Sequence, residues 1–541
     1  MTTEFYIYVA GLALVCFYAA VRLRFELQMM QQNSYRTSRY LRWLRTDHYS
    51  TARVVALLMA LVVAVFSFTR WGLYATGAIA VLALYQGIRG LRIKYKKPLV
   101  FTARAIRIFV VGLILLAAVV AISWILWGIV WALFAGMALA ALSPLWIIAA
   151  VVILMPVERA INRRYIDDAR RILRSMPRLT VIGITGSYGK TSTKHYLYRI
   201  LSEKFSVVMT PGSFNTTLGV VRTIREHLKP FHEVFIVEMG AKQPGDIAEI
   251  CDLVHPSIGI ITAVGEQHLE SFKTIENVQR TKFELADALP HDGVAILNDD
   301  FEYIADRRVT NVERIFRYTS GTSGATNKAD YRVTDVKYGR DETTFRIETP
   351  DGGKTEPFTT KLAGIHNLSN ILAGYIAGKT LGMTEAEMRY AIGGIEQVEH
   401  RLNIKHTSGG ITVIDDAFNS NPHGAAMALD VLAGFTDGRR IVVTPGMIEL
   451  GAKQEHYNRE FGKQLAEACD IAVVVGEYNR NAILAGFAEG KAELARGNIS
   501  LAENKTAVAV ATFADASRHI REMAKPGDTI LYENDLPDTF K

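Results

Sequence analysis

Three cysteines among 541 residues, Cys16, Cys251 and Cys469, are too few and too scattered for a disulfide framework, and no Cys-x-x-Cys pair or metal-type spacing joins them. They read as apolar filler in a reducing, cytoplasmic setting. The net charge of +7 lacks the distribution that nucleic acid demands. Up to Ser175, Lys and Arg outnumber Asp and Glu by 21 to 6, whereas Met176 to Lys541 carries a net charge of −8. The basic excess therefore belongs to the N-terminal region, and nothing argues for a nucleic-acid partner. No LSGGQ-like signature is present, and the apolar runs hold no Asp, Glu, Lys or Arg to mark an ion path, so an ATP-driven transporter is disfavoured. A cleaved signal peptide is disfavoured too, because Glu4 stands where a basic n-region belongs and no small-x-small site follows.

What is plentiful is apolar sequence. Hydrophobic residues make up 49% and the mean hydropathy is positive, which places some of the chain in a membrane. Phe5 to Val21, Val54 to Phe68 and Trp71 to Tyr85 each approach the length of one span. Phe109 to Met155 suffices for two, with a hairpin near Trp127-Gly128, so five transmembrane helices are expected. Basic residues cluster after the first span (Arg22 to Arg53), the third (Arg89 to Arg107) and the fifth (Arg159, Arg163, Arg164), while the second-to-third turn has only Arg70. The positive-inside rule then puts the N-terminus outside and everything after Met155 in the cytoplasm, giving a multi-pass protein of the cytoplasmic membrane. These spans read as an anchor, and a lipid-binding groove between them is compatible with the sequence.

The chemistry centres on Thr180 to Lys194, TVIGITGSYGKTSTK. An apolar run enters the turn Gly186-Ser187-Tyr188-Gly189, and Lys190, Thr191 and Ser192 open a helix. Glycines let backbone N–H groups close on phosphate, the lysine reaches the terminal phosphates and the threonine hydroxyl ligates Mg²⁺. Ile184 occupies the first glycine position of the full GxxxxGK[ST] pattern, leaving the shorter GxxGKT.

Beyond it, strands alternate with helices, which indicates a mostly parallel α/β sheet. Domains are expected at 1–160 (transmembrane), 178–398 and 399–541, with a charged linker over 161–177. Val234 to Glu238 reads as a buried strand ending in a carboxylate, where phosphate-loop enzymes keep a Mg²⁺ ligand or a water-orienting group. Ile258 to Thr262 is another strand, and Lys282 lies in an amphipathic helix. Tyr318 to Thr360 alternates like an antiparallel insertion or small sheet. Val398 to Arg401 reads as a hinge. Ile411 to Ile414 forms a strand ending in Asp415-Asp416, and strands at Ile441 to Val443, Ile471 to Val475 and Thr529 to Tyr532 complete a last α/β unit.

TGSYGKTSTK, GSFNTTLG, VEMGAKQPGDI, AVGEQHLESF, TKFELA, GIHNLSN, IDDAFNSNP and MIELGAKQEH, in this order, resemble the Mur ligase superfamily. The resemblance is strongest to the type that adds D-alanyl-D-alanine to UDP-N-acetylmuramoyl-tripeptide. It implies a phosphate-loop central domain, a Rossmann-like C-terminal domain, and ATP with Mg²⁺ as cofactors. Gly186, Gly189, Lys190, Thr191 and Ser192 would bind ATP phosphates. Thr191, Glu238 and His268 would hold metal, and Lys282 matches a lysine that is carbamylated to bridge a second Mg²⁺. His366, Asn367 and Asn370 match the nucleotide contacts, Arg401 an interdomain residue near the phosphates, and Asp416 a ribose contact. Asn215, Asn419, Asn421 and Glu449 are the expected substrate contacts. The implied reaction phosphorylates a carboxylate with ATP, after which an amine displaces phosphate to form an amide. Expected partners are a UDP-linked or lipid-linked muropeptide carboxylate, an amino acid or dipeptide amine, and membrane lipids. Poly-γ-glutamate-type ligases and a non-catalytic scaffold are the alternatives. The chain departs from the pattern in three places: spans stand where the UDP-binding domain belongs, Gly446 replaces an Asp, and Tyr532 to Asp538 replaces a KGSR-like ending.

Overall fold

The computed structural model describes residues 3–46, 51–66, 69, 71–93, 95, 97–321, 329–339, 342–417, 420–497 and 499–535. The chain divides into two compact units at Arg163/Arg164.

The first unit is helical: α1 (Thr3–Gln32), α2 (Thr37–Thr46), α3 (Thr51–Phe66), α4 (Gly72–Arg92), α5 (Ala103–Trp127), α6 (Ile129–Ala141) and the start of α7 (Ser143–Arg174). Among the described residues, three helices, α1, α5 and α7, are long and apolar enough to cross a membrane, and shorter apolar helices run over Arg53–Val62 and Ile129–Ala141. The expected hairpin falls at Gly128, whose φ of 94° suits glycine. The fifth expected span is interrupted, since α6 stops before Leu142 and α7 restarts at Ser143. Glycines seat neighbouring helices closely: Gly87 lies against Phe17, Gly112 against Leu23 and Gly136 against Val15. Tyr74, Val81, Ile114 and Ile125 stand exposed on the outside.

The linker over 161–177 is helical through Arg174, because its charges alternate with Ile166, Ala169, Ile172 and Leu173, which pack inward. The helical unit also buries charge: α1 continues past Val21, and Glu26 inside it is fully buried. Its carboxylate accepts from Arg22 (3.0 Å), Ser143 Oγ (3.0 Å) and Tyr40 O–H (2.6 Å), with Arg53 at 3.7 Å. A buried carboxylate saturated in this way knits helices together instead of marking an ion path.

The second unit holds two sheets. The larger contains β1 (Thr180–Thr185), β2 (Val207–Met209), β3 (Val234–Glu238), β4 (Ile258–Ile261), β5 (Val294–Asn298), β6 (Arg314–Thr319), β7 (Tyr331–Tyr338), β8 (Thr343–Glu348) and β9 (Phe358–Thr360), in the order β2-β3-β1-β4-β5-β6-β7-β8-β9. Strands β1 to β5 are apolar runs because helices cover both faces. β1 lies between β3 and β4, so strand order reverses beside it and a crevice opens at its carboxyl end. The Tyr318 to Thr360 stretch does not form a separate sheet. β7 pairs in parallel with β6, and β8 and β9 add antiparallel edge strands, their alternate residues turned toward the same core.

The smaller sheet has β10 (Asn403–His406), β11 (Thr412–Asp416), β12 (Arg440–Thr444), β13 (Ile471–Val475), β14 (Thr506–Val510) and β15 (Thr529–Glu533), in the order β10-β11-β15-β12-β13-β14. The chain turns between the sheets with positive φ at His400 (58°) and Leu402 (48°). Helices Gln454–Ala468 and Arg480–Gly497 meet in backbone contact: a Cβ on Gly486 would lie 1.8 Å from the Arg459 carbonyl oxygen, and one on Gly462 2.2 Å from that of Ile483. Gly486→Ala should therefore push these helix backbones apart at a cost of about 1–3 kcal/mol and lower the unfolding temperature by several degrees in calorimetry. Gly497→Ala, with nothing within 4 Å, should be neutral. Equal effects of the two would refute this packing.

Candidate nucleotide and metal site

The turn after β1 is stapled to the end of β4. Ser187 N–H donates to the Ala263 carbonyl (2.8 Å), Ser187 Oγ–H to that of Gly265 (3.0 Å), and Thr262 Oγ1–H to that of Tyr188. A Cβ on Gly186 would sit 2.1 Å from Thr262 Oγ1, so only glycine permits this approach, and Gly189 turns the chain at φ 76°. α8 (Lys190–Leu201) starts there with its N–H groups facing the turn. Lys190 Nζ donates to the carbonyls of Gly186 and Ser187 (3.2 Å for the latter). Burial lowers its pKa to about 8, against the pull of Glu238 and helped by Arg401.

Glu238 closes β3 beside this lysine and is buried. Oε1 accepts from Asn215 Nδ2 (3.1 Å). Oε2 has no hydrogen-bond partner but lies 3.0 Å from Lys194 Nζ, which donates to the Gly212 carbonyl at 2.6 Å. Burial raises the Glu238 pKa, yet Lys194 and Lys190 together hold it below the usual carboxylate range. Lys282 is buried inside helix Ile275–Asp287. Burial first and Lys190 second push its pKa well below the ordinary lysine value, against Glu284 and Asp246. His268, at φ 54°, binds the Glu449 carboxylate through Nδ1, and the Glu270 N–H donates to the Glu449 carbonyl (3.0 Å). Burial lowers the His268 pKa, with Glu449 opposing and Lys242 and Lys282 assisting. Glu238, Lys190, Lys282 and His268 are thus linked through one another's charge. Among the described residues no three His, Cys, Asp or Glu side chains form a ready metal cluster.

His366, Asn367, Gln397, Arg401, Leu402 and Tyr196 line a narrow open cleft between the two sheets. Burial brings the His366 pKa to about 4, with His423 adding to the shift. Asn367 Oδ1 accepts from Tyr196 O–H (2.7 Å), and Asn370 Oδ1 accepts from Thr193 Oγ1–H (3.0 Å) against Gly189. Burial raises the Asp416 pKa to about 6 while Arg401 opposes it, and its Oδ1 accepts from Leu402 N–H (3.2 Å). Asn421 caps helix Pro422–Ala433, its Oδ1 accepting from Gly424 N–H (2.8 Å). Asn419 lies outside the described residues.

Several residues here escape sequence reasoning. Tyr188 of the phosphate turn stacks on His423 (centroids 5.4 Å apart), and Glu266 takes Lys453 (2.6 Å) and Tyr457 from the other sheet. The only advance signal is Lys194, four residues after Lys190 and so on the same helix face. Glu533 is fully buried at the end of β15 under the hydroxyls of Ser420 and Thr444 (2.8 Å for the latter).

A family model of the Mur ligase middle domain matches residues 184–378, and one of the Mur ligase glutamate ligase domain matches 400–532. The UDP-N-acetylmuramoyl-tripeptide–D-alanyl-D-alanine ligase of Mycobacterium leprae is 32% identical over 377 residues, covering 65% of this chain and 70% of that one. The Bacillus subtilis enzyme of that name is 28% identical over 357 residues, covering 65% and 72%. MurF from Acinetobacter baumannii superposes with a TM-score of 0.58 at 25% identity, covering 68% of this chain and 76% of that one. MurF from Thermotoga maritima in complex with ADP gives 0.57 at 26%, covering 69% and 80%. The chain therefore belongs to the Mur ligase family. It is accordingly an ATP-dependent, ADP-forming ligase of the acid–amino-acid class, and the cofactors of these ligases are ATP and Mg²⁺.

Two outcomes follow from this geometry. Gly186→Ala should lose ADP binding, measured calorimetrically, at concentrations that saturate the native chain, and unchanged binding would remove the turn from the site. Burial raises the Glu533 pKa to about 7, against Ser420 and Thr444. The folded chain then holds this proton more tightly than the unfolded one, so the contribution to stability is full below the unfolded value of roughly 4.3 and is lost as pH rises toward 7. Glu533→Gln should flatten the fall in unfolding temperature across that window, and parallel slopes would contradict the assignment.

Proposed function

We propose that this chain is a membrane-anchored ligase of cell-envelope synthesis that activates a carboxylate as an acyl phosphate and joins it to an amine. The observation that carries the reading is Lys190 Nζ seated on the Gly186 and Ser187 carbonyls of the turn between β1 and α8, with the buried Glu238 carboxylate and the buried Lys282 within its field. Lys190 exchanges the carbonyls of Gly186 and Ser187 for ATP phosphate oxygens, while the first N–H groups of α8 cradle the phosphates. His366, Asn367 and Asn370 receive the nucleotide, with Arg401 near the phosphates and Asp416 on the ribose. Asn215 and Glu449 face the substrates. Residues 178–398 act as the ATP-binding domain and 399–541 as its C-terminal partner, after a membrane domain over 1–160.

The donors fit Mg²⁺: a buried carboxylate oxygen without a hydrogen bond, the Thr191 hydroxyl, His268 and a carbamylated Lys282. Bound Mg²⁺ supplies charge neutralisation for the transferring phosphoryl group. Burial favours the neutral form of the Lys282 amine, the form that attacks CO₂ and releases a proton to give an anionic carbamate. Lys190→Ala should abolish substrate-dependent phosphate release from the full chain without changing its fold. Lys282→Ala should be nearly inactive and partly rescued by small carboxylates, and CO₂ depletion should slow the native enzyme. Full activity of either variant would remove that residue from the reaction.

The length and apolar character of α1, α5 and α7 support membrane anchoring. The names of the relatives specify UDP-N-acetylmuramoyl-tripeptide and D-alanyl-D-alanine. For this chain the acceptor is a muropeptide carboxylate, and one anchoring helix would serve a soluble acceptor as well as several, so the helical unit favours a lipid-linked form. The full chain in vesicles, offered UDP-linked and lipid-linked muropeptides with D-Ala-D-Ala or single amino acids, should turn over the lipid-linked acceptor faster. Equal or greater use of the UDP-linked form would reduce the helices to an anchor.

A further inference from the structure

Lys194 has no place in the reaction described so far, yet it is fully buried beside the candidate metal ligand. It follows Lys190 by four residues on α8. Its ammonium lies 3.0 Å from Glu238 Oε2, the oxygen left without a hydrogen bond, and donates to the Gly212 carbonyl at 2.6 Å. A fully buried ammonium persists only where an opposite charge compensates it, and Glu238 is that charge. The carboxylate is thus already neutralised by a cation of the protein. Lys190, which Glu238 also influences, adds further positive charge, and Arg401 lies within its field.

We propose that Lys194 is a positioning residue that acts as the resident counter-cation of Glu238 and makes divalent-cation binding conditional on nucleotide phosphates. This rests on the reading of Glu238 as a metal ligand. A dication approaching Glu238 alone meets a site whose local charge is zero or positive, and like charges in a poorly screened interior repel strongly. Nucleotide phosphates reverse the sign, so metal and nucleotide enter together. The bond to the Gly212 carbonyl is the competing, purely structural role: it pegs the loop before Asn215 to α8. Charge separates the two roles, because Lys194→Gln can still donate to Gly212 but carries no charge, whereas Lys194→Arg keeps the charge.

The experiment titrates Mg²⁺ into the full chain in detergent, with and without ADP, and follows the unfolding temperature and the heat of binding. The native chain and Lys194→Arg should respond to Mg²⁺ only with ADP present. Lys194→Gln, with Lys194→Met as a second neutral variant, should respond without nucleotide, about tenfold or more tighter than the native chain. Neutral variants that still need ADP would overturn the proposal. So would a native chain that binds Mg²⁺ equally well without ADP, whatever the variants do. Glu238→Gln should lose the Mg²⁺ response in every background. If it keeps that response, the reading of Glu238 as a ligand fails first, and this proposal falls with it.

Discussion

The contact between Gly186 and Thr262 is the constraint on which the rest of the site depends. With no side chain on Gly186, the turn after β1 lies directly on the end of β4, and Ser187 and Tyr188 are bonded there. That fixes where α8 begins, and so where Lys190, Thr191 and Lys194 stand relative to the carboxylate at the end of β3. The parallel order around β1 makes the crevice, and the glycine lets the backbone pack closely into it.

The site built on this turn is crowded with buried basic side chains. Desolvation lowers the pKa of Lys190 and of Lys282, and Lys190 adds to the shift of Lys282. Like charges held together in a buried place are costly in isolation, and the proposed entry of polyanionic phosphate would offset that cost. Contacts between the sheets, Glu449 on His268 and Lys453 and Tyr457 on Glu266, bring the C-terminal sheet's loops onto the loop that carries a candidate ligand.

Much of this is legible in the residues. Lys190 and Thr191 stand in one contiguous motif and Glu238 ends an apolar run, so local pattern suffices for both. His268, Lys282, His366 and Arg401 meet only through tertiary folding, and without the family resemblance neither spacing nor composition selects them. Asp167 to Arg174 reads as a linker because charge masks its inward-facing apolar residues. Arg22 and Glu26 fall outside the apolar runs because such runs stop at the first charge, whereas a helix continues and pairs it. β14, half-exposed and only five residues long, offers too little periodicity to be read.

Oxygen tracing decides whether the proposed acyl phosphate forms at this site. The full chain is given ATP, an amine and a muropeptide whose acceptor carboxylate is labelled with ¹⁸O. If the carboxylate attacks the γ-phosphorus and the amine later displaces phosphate, one labelled oxygen per turnover leaves in the phosphate, and amide forms in equal amount. Phosphate released without label, or released without amide, would contradict the account.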